Sequence, residues 1–130
     1  MDGAQLLTSA RDGFVVAALR GDFDVKDADD VAAELGRLAS GGEFLIVDMS
    51  AVGFVDCAAA GALLCARQAA ALDGGDVVLV GPHGYAARIL DLTGMGEAIR
   101  SFCSLRDAVV TIAGMPSRHF AQATPATGPA

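Results

Sequence analysis

Apolar runs alternate with amphipathic stretches along this chain, and the alternation predicts its elements. Gln5 to Ala10 and Phe14 to Leu19 read as strands separated by a turn at Arg11-Asp12-Gly13. The second run, "FVVAAL", is continuously apolar, which suits a strand inside a sheet. Val31, Leu35 and Leu38 then recur at helical spacing. Acidic residues lie early in that stretch and Arg37 late, so the spacing predicts a helix over Ala28 to Ala39 that stops at Gly41-Gly42. "FLIVDMS", Phe44 to Ser50, reads as a buried strand, and "AVGFV", Ala51 to Val55, as a connecting loop. Asp56 is placed to cap a helix from Cys57 to Leu72 built almost entirely of Ala, Leu, Gly and Cys.

The second half repeats the rhythm. "DGGDVVLVGP" is a turn, a buried strand at Val77 to Val80 and a stop. "YAARILDLTGMG" is a short helix with Ala86, Ile89 and Leu90 on one face and Gly94 as its stop. Ala98 to Cys103 is expected as a short edge strand, Leu105 to Ala113 as a last helix, and Gly114 onward as a disordered tail. Strand–helix alternation with apolar strands implies one α/β domain, largely parallel in its second half.

Composition narrows the function classes. A chain of 130 residues that is 53% hydrophobic is long enough for one domain with a real core. No apolar stretch reaches the roughly 18 residues that span a bilayer. "MDGAQLL" has neither the basic region nor the apolar core of a signal peptide, so a cytoplasmic location is expected. The net charge is -7, which opposes contact with nucleic acid or anionic lipid and is compatible with a basic protein partner. The three cysteines, Cys57, Cys65 and Cys103, lack CxxC spacing, and His83 and His119 lie far apart in sequence. Neither a disulfide framework, a metal site nor a nucleophile–base pair is expected, and no cofactor. "VGPHG" before a helix has no GxGxxG spacing and reads as a loop rather than a nucleotide site.

Three stretches, in order, carry a family likeness. "LRGDFDVKDADDVAAEL" looks like the strand–turn–helix opening of the STAS-domain anti-sigma factor antagonists of bacteria. "LIVDMSAVGFVDCAAAGALL" is similar to that family's central signature, Asp-Leu-Ser-x-Val-x-Phe-x-Asp-Ser-x-Gly, and "ARILDLTGMGEAI" resembles its late helix. The likeness covers about Phe14 to Val110. It implies a single STAS domain over residues 1–113: a mixed sheet covered mainly on one face by about four helices.

In that family the serine after the second aspartate is phosphorylated by a partner kinase that doubles as an anti-sigma factor. The unphosphorylated domain binds the kinase and frees the sigma factor. The matching position here is Cys57, followed by Ala58. A thiol does not hold phosphate stably, so no stable phosphorylation is expected, and Ser50 is the nearby hydroxyl through which that expectation can fail. The resemblance implies protein binding rather than catalysis. The surface would comprise Asp22, Asp24, Gly53, Phe54, Asp56, Cys57, Ala58 and Gly61, with an anti-sigma factor of the serine-kinase fold as partner and a homodimer left open.

Cys57 has two readings: a reactive thiol, or a drifted serine packed at the partner face. Cys57 and Cys65 lie about 12 Å apart along one helix at 1.5 Å per residue, beyond the roughly 7 Å a disulfide allows. Cys103 is on another element and is the candidate for pairing with either, so a redox switch at Cys57, Cys65 or Cys103 is one expectation and three inert thiols the other. Three other readings compete. An accessory STAS subunit of a lipid-transport ATPase keeps the fold and changes the partner. A receiver domain needs a lysine after its last strand, but the only lysine is Lys26. A thiol enzyme needs a base near Cys57, and the sequence offers none there.

Overall fold

The computed structural model describes residues 5–11, 14–23, 25–39 and 44–113. The chain runs β1 (Gln5–Arg11), β2 (Phe14–Phe23), α1 (Val25–Ala39), β3 (Phe44–Val55), α2 (Cys57–Leu72), β4 (Asp76–Val80), α3 (Gly84–Leu92), α4 (Met95–Ala98), β5 (Ser101–Phe102) and α5 (Leu105–Ala113). The strands form one sheet in sequence order; β1 pairs antiparallel with β2, and every later pairing is parallel. Each parallel connection needs a crossover, and α1, α2 and the α3–α4 pair supply the three.

Two layers of side chains follow from the strand period of two. Val15, Ala17 and Leu19 of β2, Leu45 and Val47 of β3, and Val77 and Leu79 of β4 face the layer holding Val31 and Leu35 of α1, Leu63 of α2 and Leu90 of α3. The alternate residues Phe14, Val16, Phe44, Ile46, Val78 and Val80 form a second cluster closed by Ala108 and Ile112 of α5. Four helices therefore cover one face and α5 the other, as the expected mixed sheet covered mainly on one face requires. Among the described residues no polar or charged group is fully buried.

Several boundaries differ from those the pattern predicts. Helix α1 begins at Val25 instead of Ala28, and the one-turn helix α4 precedes β5. The last strand is Ser101–Phe102 only, although Leu79 N–H still donates to Arg100 O at 2.8 Å and Gly81 N–H to Phe102 O at 2.9 Å. Strand β2 runs on to Phe23, and Ala51 to Val55 continues β3 where a loop was expected.

The cause of that last difference is a pair of bulges. Ala18 pairs with Asp48 and Arg20 with Ala51, so two steps of β2 face three of β3. Between Gly21–Asp22 and Val52–Phe54 one step of β2 faces two of β3. Each extra residue resets the alternation of faces. Met49, Val52 and Val55 thus enter the same core layer at intervals of three, a spacing no regular strand shows. The tail expected from Gly114 lies outside the described residues.

Candidate functional site

The end of β3 and the start of α2 make the surface that the sequence nominated. Asp56 stands in extended conformation as the N-cap of α2, and its Oδ1 accepts from the Ala59 N–H at 2.9 Å. Its own N–H donates to Phe23 O at 3.3 Å, tying the helix start to the end of β2. Ala59, Ala60, Ala62, Leu63, Ala66 and Ala70 bury the inner side of α2, which leaves Cys57, Ala58 and Cys65 exposed. Small residues on the buried side let the helix lie close to its neighbours.

Asp22 is brought to the same place from β2. A Cβ at Gly53 would sit 3.6 Å from Asp22 Oδ1, so this carboxylate lies against the Gly53 backbone. Asp24 lies outside the described residues. Gly61, one turn into α2, leaves open space: a Cβ there would meet nothing within 4 Å. The space belongs to a groove of about 310 Å³ between α1 and α2, lined by Ala28, Ala32, Ala58, Gly61 and Cys65 among others. Asp22, Gly53, Asp56, Cys57, Ala58 and Gly61 thus line the end of β2, the β3–α2 junction and the first turns of α2.

Phe54 points toward α3 instead. Its ring stacks on Tyr85 with centroids 5.3 Å apart and planes 8° from parallel. Tyr85 is half exposed and sits in the first turn of α3. The helical pattern of "YAARILDLTGMG" gives Tyr85 no part in the apolar face of Ala86, Ile89 and Leu90. Its signal was its rarity: Tyr85 is the chain's one tyrosine, next to a helix start.

The connector before α3, "VGPHG", also reaches β3. His83 Nε2 lies 3.0 Å from Ser50 O, and since a carbonyl only accepts, Nε2 carries the proton. Gly81, at φ +69°, comes so near that a Cβ would lie 3.1 Å from the Ser50 Cβ. Ser50 itself sits in the first bulge, where its Oγ donates to Asp48 Oδ1 at 2.7 Å and its N–H to the same oxygen at 3.0 Å.

The cysteines are dispersed. All three are free and exposed. Cys65 lines the α1–α2 groove, whereas Cys103 lines a separate hollow with Gly81, Pro82 and His83. Among the described residues no group of three His, Cys, Asp or Glu is placed to hold a metal ion, and no helix is long and apolar enough to cross a membrane.

A five-stranded mixed sheet with four helices on one face and one on the other, and a capped helix start at its surface, defines a class of small α/β domain. The STAS domain family model matches residues 5–108, and the chain belongs to that family. No curated protein sequence matches it. Among solved structures it is similar to an anti-sigma factor antagonist from Mycobacterium paratuberculosis, at 22% identity and a TM-score of 0.76, over 85% of this chain and 94% of that one. It is also similar to the anti-sigma factor antagonist SpoIIAA in its unphosphorylated form, at 18% identity and a TM-score of 0.70, over 87% of this chain and 98% of that one. A third similar structure is the murine anion transporter Solute Carrier 26 family member A9, at 18% identity and a TM-score of 0.71, where 88% of this chain matches 23% of the transporter. At these identities the likeness is one of fold.

Proposed function

We propose that this chain is an anti-sigma factor antagonist: a binding protein, not an enzyme, that holds an anti-sigma factor of the serine-kinase fold and thereby releases a sigma factor. The observation that carries the reading is the exposed start of α2. There Asp56 caps the helix, and Cys57 and Ala58 face outward beside Asp22 and Gly53. The named fold relatives include two anti-sigma factor antagonists whose chains are matched almost end to end. The position that carries the family's phosphate is here the thiol of Cys57, so control by phosphate at that position is lost. Oxidation of Cys57 would supply a different control.

Calorimetry with a kinase-fold anti-sigma factor encoded in the same genome tests the reading. Binding is expected for the wild type. Asp56→Lys is expected to weaken it several-fold or more, since the change removes a cap worth about 1 kcal/mol and reverses charge at the contact. Unchanged affinity in a folded variant would place the interface elsewhere. Recovery of a transport ATPase, with no anti-sigma factor, from the native cell would replace this reading by the accessory-subunit one.

A further inference from the structure

We propose that the segment Phe120 to Ala123, which follows α5 in the chain, docks on the part of the sheet that α5 leaves open, with the Phe120 ring against Leu7. The exposed large apolar side chains among the described residues are Leu7, Leu72, Tyr85, Leu92 and Val110. The last four stand on helices, and Leu7 alone stands in the sheet. Its face follows from the register. Leu7 pairs with Ala18 and Ser9 with Val16, and residues directly opposite in an antiparallel pair share a face. Val16 belongs to the layer under α5, so Leu7, Ser9 and Ala18 lie on the α5 side. Helix α5 packs on β3, β4 and β5, and its cluster reaches no further than Phe14 and Val16 of β2. Leu7, 57% exposed, is left uncovered beyond that limit. The small Ala18 opposite leaves room beside it for a ring.

The place where α5 ends and the length of chain beyond it select the occupant. Helix α5 stops at Ala113, on the same side of the sheet as Leu7. Gly114 and Pro116 keep the helix from continuing. Strand β1 lies two strands beyond β3, about 10 Å away. Residues 114–130 contain two large apolar side chains, Met115 and Phe120. Met115 comes two residues after Ala113, a reach of about 7 Å, which falls short of β1. Phe120 comes seven residues after it, a reach of up to about 25 Å, which suffices. Charge favours the same segment. Arg20, exposed, lies two residues from Ala18 on the same face of β2. Phe120 to Ala130 carry no charged side chain, and an aromatic ring accepts a guanidinium at its face. A second copy packed face to face would bring another Arg20 to this shelf, and like charges there repel. The proposal departs from the expectation of a disordered tail, and it does not depend on which partner the α2 surface binds.

The test is NMR on the 130-residue chain with labelled leucine methyl groups. A nuclear Overhauser contact between the Phe120 ring and the Leu7 methyls is expected. Phe120→Ala is expected to remove it and to shift the Leu7 methyl signals, while those of Leu63 and Leu79 in the larger core stay in place and report an intact fold. Leu7 signals that do not move in Phe120→Ala overturn the proposal. So does a contact that is seen only between differently labelled chains mixed together, which makes a second copy the occupant.

Discussion

In the proposed reading Cys57 stands where the family's serine would, one atom different, and so changes what the α2 start can record. Restoring the hydroxyl with Cys57→Ser is expected to let a cognate anti-sigma kinase place phosphate at residue 57, detectable by intact mass after incubation with ATP. A wild-type protein treated alongside is expected to stay unmodified at that residue. The exposed thiol offers a different chemistry, since accessible thiols oxidise to sulfenic acid. Mild peroxide is expected to lower anti-sigma affinity in the wild type and to leave Cys57→Ser unaffected; equal loss in both would assign the effect to Cys65 or Cys103. The capping role of Asp56 is separable from all of this. Asp56→Ala is expected to lower unfolding stability by about 1 kcal/mol, read from the denaturant midpoint.

At the scale of elements, the helices and the regular parts of the strands were legible from periodicity. Val31 and Leu35 mark the inner face of α1, and the run Phe44 to Val47 could only be a strand buried on both faces. The end of β3 was not legible, because alternation breaks wherever a bulge adds a residue. Met49, Val52 and Val55 at intervals of three, with Gly53 between them, look like neither strand nor helix. The boundary of α1 was missed for another reason: Val25 to Asp27 carry no apolar repeat of their own. Candidate site residues were legible where a motif named them, at Asp22 and Asp56 to Ala58. Tyr85 and His83 were not, since their importance comes from contacts across 31 and 33 residues of chain. The connector that carries His83 and leads into α3 depends on Gly81. Gly81→Ala forces a side chain into the left-handed region, at about 1–2 kcal/mol, with its Cβ close to Ser50. A loss of at least that size is expected in urea unfolding, larger than for Gly61→Ala, where the space is open.

Taken whole, the molecule has two unequal apolar layers, and the smaller one rests on a single helix. Ala108 and Ile112 of α5 close the cluster of Phe14, Val16, Phe44, Ile46, Val78 and Val80. A chain ended at Ser104 would leave those residues without α5. It is expected to bind the dye ANS and to unfold at lower denaturant than the full chain; an unchanged midpoint would show that α5 contributes little. Leu35→Ala, in the larger layer, is expected to cost about 2–5 kcal/mol. The order of the strands has a further consequence, for what happens when many copies are crowded together. A sheet grows only from an edge with free backbone groups. On one side that edge is β5, two residues long and too short to template a visitor. On the other it is β1, seven residues long, with Leu7 largely exposed. Growth of this sheet into a larger aggregate is therefore one-sided: it begins along β1, and a charge at Leu7 is the change placed to stop it.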